Sequence, residues 1–287
     1  MDLSFFLIQI LNGVQYGLLL FLVASGLTLI FGIMGIINLA HGSFTMLGAY
    51  VAYWMAARTG SLVVAVAVAV PAAALVGYAI ELLLVRVLYR RDHLDQVLLT
   101  YGLILVFNEM QRMVWGSDVH GVAVPAVLNF SLPLTDNLGY PAYRLAVSGV
   151  CAALALGMAW VIQRTRLGMW VRAGACDRDM VSALGIDVKM LFALVFAAGA
   201  GLAGLAGAIS APLSSVYPGM GESMLILCFV VVVIGGVGSV KGAFLGALLI
   251  GLADTFGKVL IPDFASFTVY AVMAAVLVWK PRGLFAR

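Results

Sequence analysis

Three polar residues interrupt a strongly apolar stretch at residues 32–44, which read GIMGIINLAHGSF. A glycine in a helix interior costs about 1 kcal/mol relative to alanine, and Asn38 can cap a new helix start, so the pattern predicts a broken helix. A break frees backbone N–H and C=O groups that lipid cannot satisfy, so such a segment must be buried in protein or line a wet cavity. Asn38, His41 and Ser43 are therefore predicted to border a solute path, where they either contact the solute or only hold the break in place.

A second glycine-rich interruption, GGVGSVKG, contributes Gly235, Gly236, Gly238 and Ser239. Residues 240–251 repeat part of the pattern of residues 40–52, with a glycine, a small residue, a phenylalanine and a Gly-Ala pair. Paired, interrupted apolar segments in the two halves of a chain indicate a substrate path in transporters, so these four residues are predicted to line the same path. The phosphate-binding pattern G-x-x-x-x-G-K-[ST] is absent from the sequence, so we expect no nucleotide binding by this chain.

Charged residues within or near the apolar segments occur as pairs at helical spacing. Glu109 and Arg112 stand three residues apart and Asp254 and Lys258 four apart, so each acid can pair with a base on its own helix face. We expect these pairs to be structural rather than parts of a proton relay. No catalytic Ser/His/Asp or Cys/His arrangement and no metal-ligand spacing occurs in the sequence. The chain is therefore predicted to be neither an enzyme nor a metal protein.

The elements that position these residues are expected to be membrane helices. Hydrophobic residues make up 64% of the 287-residue chain and charged residues only 10%, with a mean hydropathy of +1.12, which lies far outside the soluble range. We predict an all-α fold, a single polytopic transmembrane helix bundle over residues 1–287, with broken or re-entrant helices and about eight or nine spans. The candidate spans are 5–33, 36–57, 62–85, 97–114, 142–162, 190–213, 223–238, 242–260 and 264–279.

Arginine and lysine gather in three connections between these spans. They are Arg86, Arg90 and Arg91; Arg164, Arg166, Arg172, Arg178 and Lys189; and Lys280, Arg282 and Arg287. The positive-inside rule predicts that all three connections, and with them the C-terminus, are cytoplasmic. The connection at 116–143 carries almost no positive charge and is expected on the other side, as is the N-terminus. The first apolar stretch is too long for a signal peptide and is expected to remain as a span.

The basic connection at 164–190 contains ACDRDMVSALGI, which predicts a short helix with Asp177 and Asp179 in its first turn and a stop at Gly185. Its apolar residues are Met180, Ala183 and Leu184. Neither lipid nor another domain of the chain is expected to cover them. A docking face for a partner is the simplest explanation, and an interfacial helix on lipid headgroups is the alternative.

The segments GIINLAHGSFTMLGAYVA, RTRLGMWVRAGACDRDMVSALGI and VVIGGVGSVKGAFLGALLIG, followed by WKPRGLF, resemble in order and spacing the branched-chain amino-acid ABC transporter permease family. The resemblance implies a multi-pass subunit of the bacterial inner membrane. Its implied partners are a second related permease, two cytoplasmic ATPase subunits, a periplasmic substrate-binding protein and membrane lipid, with no nucleic acid. It also implies that ATP and magnesium bind to the ATPase subunits and that this chain binds no cofactor. The ATPase-coupling residues would be Ala175, Cys176, Asp177, Asp179, Met180, Ala183, Leu184 and Gly185.

The function expected from this resemblance is ATP-driven import of branched-chain amino acids by alternating access. A permease of the same family for urea, short amides or other small polar solutes is the alternative that the residues leave open. A more remote alternative is an ion-coupled secondary transporter or channel that uses Asp254 or Glu109. The docking-type connection at 164–190 and the pairing of both acids with bases favour the importer.

Overall fold

A computed structural model describes residues 3–135 and 138–285; Arg287, one of the basic residues at the C-terminus, lies outside them. The described residues are mostly helical, as predicted, with a two-stranded antiparallel hairpin between the fourth and fifth α-helices. The helices are α1 Leu3–Met34, α2 His41–Thr59, α3 Leu62–Leu83, α4 His93–Trp115, α5 Ala142–Arg164, α6 Arg166–Cys176, α7 Arg178–Ala183, α8 Val188–Ser210, α9 Met220–Gly235, α10 Val240–Leu260 and α11 Ala265–Trp279. The hairpin strands are β1 Ser131–Thr135 and β2 Leu138–Pro141, and short 3₁₀ turns occupy Val85–Arg90, Ala126–Leu128 and Pro262–Phe264.

The predicted number of membrane spans is not confirmed. Within the described residues, six helices are long and apolar enough to cross a membrane, namely α1, α3, α5, α8, α10 and the last helix with the 3₁₀ turn before it. The apolar helix α9 is shorter, with 16 residues. The helices α2 and α4 coincide with predicted spans but are not among the six. One reason is that α2 begins only at His41, so the apolar residues 36–37 lie outside the helix.

Side-chain caps explain where several helices begin. In each case an oxygen of the residue before the helix accepts a hydrogen bond from a backbone N–H of the first turn, which otherwise has no partner in the helix. The capping residues are Ser61 of α3, Thr165 of α6, Asp177 of α7, Asp187 of α8 and Ser239 of α10. These caps fix the boundaries of the loops on both sides of α6 and α7.

The long helix α1 is the centre of the bundle. It packs antiparallel to α10, where a Cβ at Gly13 would lie 2.8 Å from a side-chain carbon of Leu252. Against α8 the approach is equally close, because a Cβ at Gly26 would lie 2.8 Å from the carbonyl oxygen of Gly199. Small residues at these positions let backbones approach closely inside a membrane bundle. Small residues therefore allow α1 to pack closely against both α10 and α8.

Two sets of contacts mark the ends of the bundle. At one end, the Arg144 guanidinium and the Tyr140 hydroxyl both donate to the side-chain oxygen of Asn12, at 2.7 and 3.1 Å. This is the hairpin end. At the other end, Gly35, which follows the last turn of α1, approaches Arg178 of α7. The C-terminal tail, residues 280–285, packs there against the end of α9. This is the basic end, which is expected to be cytoplasmic. Between Asn12 and Met34, α1 therefore crosses the depth of the bundle.

Candidate functional site

The first glycine-rich segment breaks the helix, as predicted. α1 ends at Met34, Gly35 has a φ of +62°, and residues 35–40 are not helical before α2 begins at His41. A left-handed backbone of this kind favours glycine. The His41 Nε2 donates to the carbonyl oxygen of Val23 at 3.0 Å, and Val23 lies midway along the crossing part of α1. The helix α2 therefore begins inside the bundle rather than at its end.

The three predicted path residues of this break are enclosed in protein. Asn38, His41 and Ser43 are each 3% exposed or less. The Asn38 side-chain oxygen accepts a hydrogen bond from the Ala40 N–H at 3.1 Å, so Asn38 supports the turn that leads into α2. Asn38 Nδ2 and His41 Nδ1 have no hydrogen-bond partner within the described residues. Asn38 and His41 thus have a structural role in this conformation, and their contact with a solute stays a prediction.

The second glycine-rich segment joins α9 to α10 at the basic end. Gly236 and Gly238 have positive φ angles of 93° and 77°, and the Ser239 hydroxyl accepts a hydrogen bond from the Gly242 N–H at 3.1 Å. The C-terminal tail covers this segment, because the Phe285 N–H donates to the carbonyl of Gly235 at 3.1 Å. These four predicted residues therefore line a turn between two helices at the edge of the bundle.

The two predicted sets of path residues lie at different depths of the bundle, as measured along α1. Gly238 approaches Gly32 of α1, whereas His41 contacts Val23. Nine residues of helix separate these two points of α1, which corresponds to about 13 Å. The element that meets the start of α2 is instead the start of α9. A Cβ at Gly221 would lie 2.9 Å from the carbonyl oxygen of Gly42.

A cavity of about 1560 Å³ lies between α1, α5, α6, α10 and the C-terminal tail. Apolar side chains form most of its wall. The wall includes the polar residues Thr28, Gln163, Arg172, Ser239 and Lys241 and the predicted coupling residues Ala175 and Cys176. Residues predicted for two different roles therefore share one cavity at the basic end: Gly238 and Ser239 for the path, and Ala175 and Cys176 for coupling.

The short helix in the connection at 164–190 is confirmed as α7. It begins after Asp177, whose carboxylate accepts a hydrogen bond from the Met180 N–H at 2.9 Å, and Gly185 follows with a φ of +85°. Met180 and Leu184 are 59% and 73% exposed, while Val181 is buried and anchors the helix to the bundle. All eight predicted coupling residues are exposed; they are Ala175, Cys176, Asp177, Asp179, Met180, Ala183, Leu184 and Gly185.

A chain of contacts connects α7 with the interior of the bundle. The Arg178 guanidinium lies 5.4 Å from the ring centroid of Phe192 in α8, and the Phe192 ring meets the Tyr89 ring at the same distance. The Tyr89 hydroxyl donates to the buried carboxylate of Glu81, which also pairs with Arg86 at 3.2 Å. Burial and the bond to Glu81 raise the pKa of the Tyr89 phenol, so Tyr89 stays a donor. The hydrogen bond to Glu81 raises the pKa of Arg86.

Arg178 also lies against the first break. A Cβ at Gly35 would lie 3.2 Å from a guanidinium nitrogen of Arg178. Because Gly35 begins the non-helical segment that ends at His41, one side chain of α7 touches both α8 and the segment that positions α2. The sequence contains Arg178 only as one of several basic residues, and this juxtaposition depends on tertiary packing.

A family model described as branched-chain amino acid transport system / permease component matches residues 9–277. The chain belongs to this family of permeases. It is 30% identical to the high-affinity branched-chain amino acid transport system permease protein BraD of Pseudomonas aeruginosa, over 100% of this chain and 97% of that protein. It is also 30% identical to the permease protein LivH of Escherichia coli, over 99% and 96%. A probable LivH of Methanocaldococcus jannaschii is 26% identical over 96% and 91%. No solved structure matches the permease.

The ion pairs predicted for the permease are confirmed. Lys258 and Asp254 lie 2.6 Å apart, and Arg112 and Glu109 lie 4.0 Å apart. No group of three or more metal-ligating side chains occurs among the residues that the structure describes. The acids of both pairs are therefore neutralised within their own helices.

Sequence reasoning missed one acidic residue of the permease. Glu222 lies in the first turn of α9, beside the contact between Gly221 and Gly42, and its carboxylate accepts a hydrogen bond from Asn108 at 2.7 Å. The predicted span began at residue 223, so Glu222 fell just outside it. The signal that could have revealed it is an acid that follows a Pro-Gly turn and precedes an unbroken apolar run, which is typical of a helix N-terminus.

Proposed function

We propose that this permease is the membrane subunit of an ATP-driven importer that moves branched-chain amino acids across the bacterial inner membrane by alternating access. The names of its relatives BraD and LivH, both high-affinity branched-chain amino acid transport permeases, support this substrate class. The observation that carries the proposal is α7, a capped helix at the basic end with two large apolar side chains, Met180 and Leu184, directed away from the bundle. A helix of this kind suits a docking groove on a cytoplasmic ATPase.

The partners follow from the same assignment. Two ATPase subunits bind ATP and magnesium and dock at the basic end, a second related permease completes the membrane unit, and a periplasmic binding protein delivers the solute at the hairpin end. This chain binds no cofactor and hydrolyses no ATP in the proposed assembly. Its C-terminus lies on the cytoplasmic side, in accord with the basic residues Lys280 and Arg282.

The proposed mechanism uses the contact between Arg178 and Gly35. Closure of the ATPases displaces α7, and Arg178 transmits the displacement to the non-helical segment 35–40. This segment holds Asn38 and His41, whose buried nitrogens Nδ2 and Nδ1 have no partner within the described residues. A buried donor or acceptor without a partner costs about 1–3 kcal/mol. This cost favours a second conformation in which these groups meet water or solute.

A reconstitution experiment tests the proposal. The permease is purified together with its ATPases and the second permease, placed in proteoliposomes, and assayed for uptake of radiolabelled leucine with ligand-loaded binding protein. We expect uptake that requires ATP and a rise in ATP hydrolysis with the loaded binding protein. Uptake by this chain alone, driven by an ion gradient, would contradict the importer. ATP-dependent uptake of urea or short amides without leucine uptake would contradict the substrate class.

A further inference from the structure

Glu222 lies within the depth of the bundle. Its neighbour Gly221 packs on Gly42, which follows His41, and His41 contacts the middle of α1. One turn further along α9, Leu225 packs in a cluster with Ala40 of the first break. The first turn of α9 is thus placed beside the start of α2 and away from both ends of the bundle.

The three acids within the predicted spans each have a basic partner, whereas Glu222 has none among the described residues. Glu81 pairs with Arg86, Glu109 with Arg112 and Asp254 with Lys258. The partner of Glu222 is the neutral amide of Asn108, at 2.7 Å. An ionisable group inside a membrane is costly unless it faces a polar cavity or pairs with an opposite charge, and such groups mark substrate paths.

The Glu222 side chain is exposed on the surface of this chain, and α4, which carries Asn108, lies at the edge of the bundle. The large apolar residues Leu98, Leu105 and Met113 of α4 are each more than half exposed. A carboxylate at an edge that faced lipid would be strongly disfavoured. The edge formed by α4 and the start of α9 is therefore expected to face a polar space in the assembled transporter.

We propose that Glu222 and Asn108 bind the ammonium group of the amino acid as it crosses the membrane; this rests on the proposed function. The side-chain N–H of Asn108 donates a hydrogen bond to one carboxylate oxygen of Glu222 and so orients the carboxylate. The second carboxylate oxygen and the amide oxygen of Asn108 are acceptors of the type that a three-donor ammonium needs. Glu222 stands in the first turn of α9, where a helix favours a negative charge.

The test uses the complete transporter in proteoliposomes with radiolabelled leucine as the probe. In E222Q we expect leucine uptake per ATP hydrolysed to fall about tenfold or more, because a neutral amide replaces the carboxylate that makes a charge-assisted hydrogen bond to the ammonium. Co-purification of all subunits and the stimulation of ATP hydrolysis should persist. The matched control is E109Q, an exposed acid of α4 with its own basic partner, for which we expect uptake within about twofold of the unmodified transporter.

Three outcomes decide the inference. Unchanged leucine uptake per ATP hydrolysed in E222Q overturns the inference. Loss of the second permease from purified E222Q also overturns it, because Glu222 would then belong to a subunit interface. Should E222Q fail to insert, E222D keeps the charge but retracts it by one methylene, and normal uptake by E222D would again overturn the inference. Failure of the unmodified transporter to import leucine would instead refute the proposed function.

Discussion

Substitution of Asp177 tests whether the shape of α7 determines docking of the ATPase. The Asp177 carboxylate accepts the Met180 N–H at 2.9 Å and caps a helix of only six residues. A helix this short does not persist on its own, and loss of an N-cap costs about 1 kcal/mol. In D177A the ordered population of α7 is therefore expected to fall about fivefold relative to its frayed state. Met180 and Leu184 would then no longer be held together as one apolar surface.

The variant D177N separates the cap from the charge, because asparagine caps helices about as well as aspartate. We expect the apparent affinity of the ATPase for detergent-solubilised permease to fall in D177A, by at most about fivefold because it follows the ordered fraction of α7, and to stay at the unmodified value in D177N. Titration of labelled ATPase onto immobilised permease measures both. Equal losses in D177A and D177N would show that the carboxylate itself contacts the ATPase, and no loss in D177A would refute the role of the cap.

Three further substitutions have defined outcomes. G26A places a Cβ 2.8 Å from the carbonyl oxygen of Gly199, so thermal unfolding in detergent should show that the free energy of unfolding falls by about 1–3 kcal/mol. The control G149A, at an open position of α5, should show no such fall. E81Q removes the charge that holds Arg86 and should lower the unfolding temperature, and an unchanged temperature would contradict the importance of this pair. R178A should retain the ATPase but lose most leucine uptake, whereas R178K should recover part of it; full uptake in R178A would refute transmission through Arg178.

The local features of the fold could be predicted from the sequence because short-range chemistry determines them. Gly35 and Asn38 indicated the broken helix, and Asp177 and Gly185 indicated both ends of α7. In the structure, both similar segments, 40–52 and 240–251, lie at helix starts, at His41 and Val240. Each of these features depends on residues within one or two helical turns of one another.

The depth of each break could not be predicted, because it depends on contacts between distant parts of the chain. The sequence similarity paired the first break with the turn between α9 and α10, yet the start of α2 packs on the start of α9 through Gly42 and Gly221. These two glycines are far apart in sequence, and only Gly42 belongs to the repeated pattern. The same limit hid Glu222, whose position between the two ends of the bundle follows from that contact.

The arrangement around the first break explains how a small displacement of α7 can alter the interior. Residues 35–40 connect Gly35, which touches Arg178, to His41, which contacts Val23. Because these residues are not helical, their backbone angles can change without breaking the hydrogen-bonded turns of α1 or α2. Bending either helix would instead break such bonds at the cost of exposing backbone groups in a medium without water. Residues 35–40 therefore deform more easily than the helices that connect the basic end with the contact between α2 and α9. A displacement of Arg178 is expected to move the start of α2 before it bends α1 or α2.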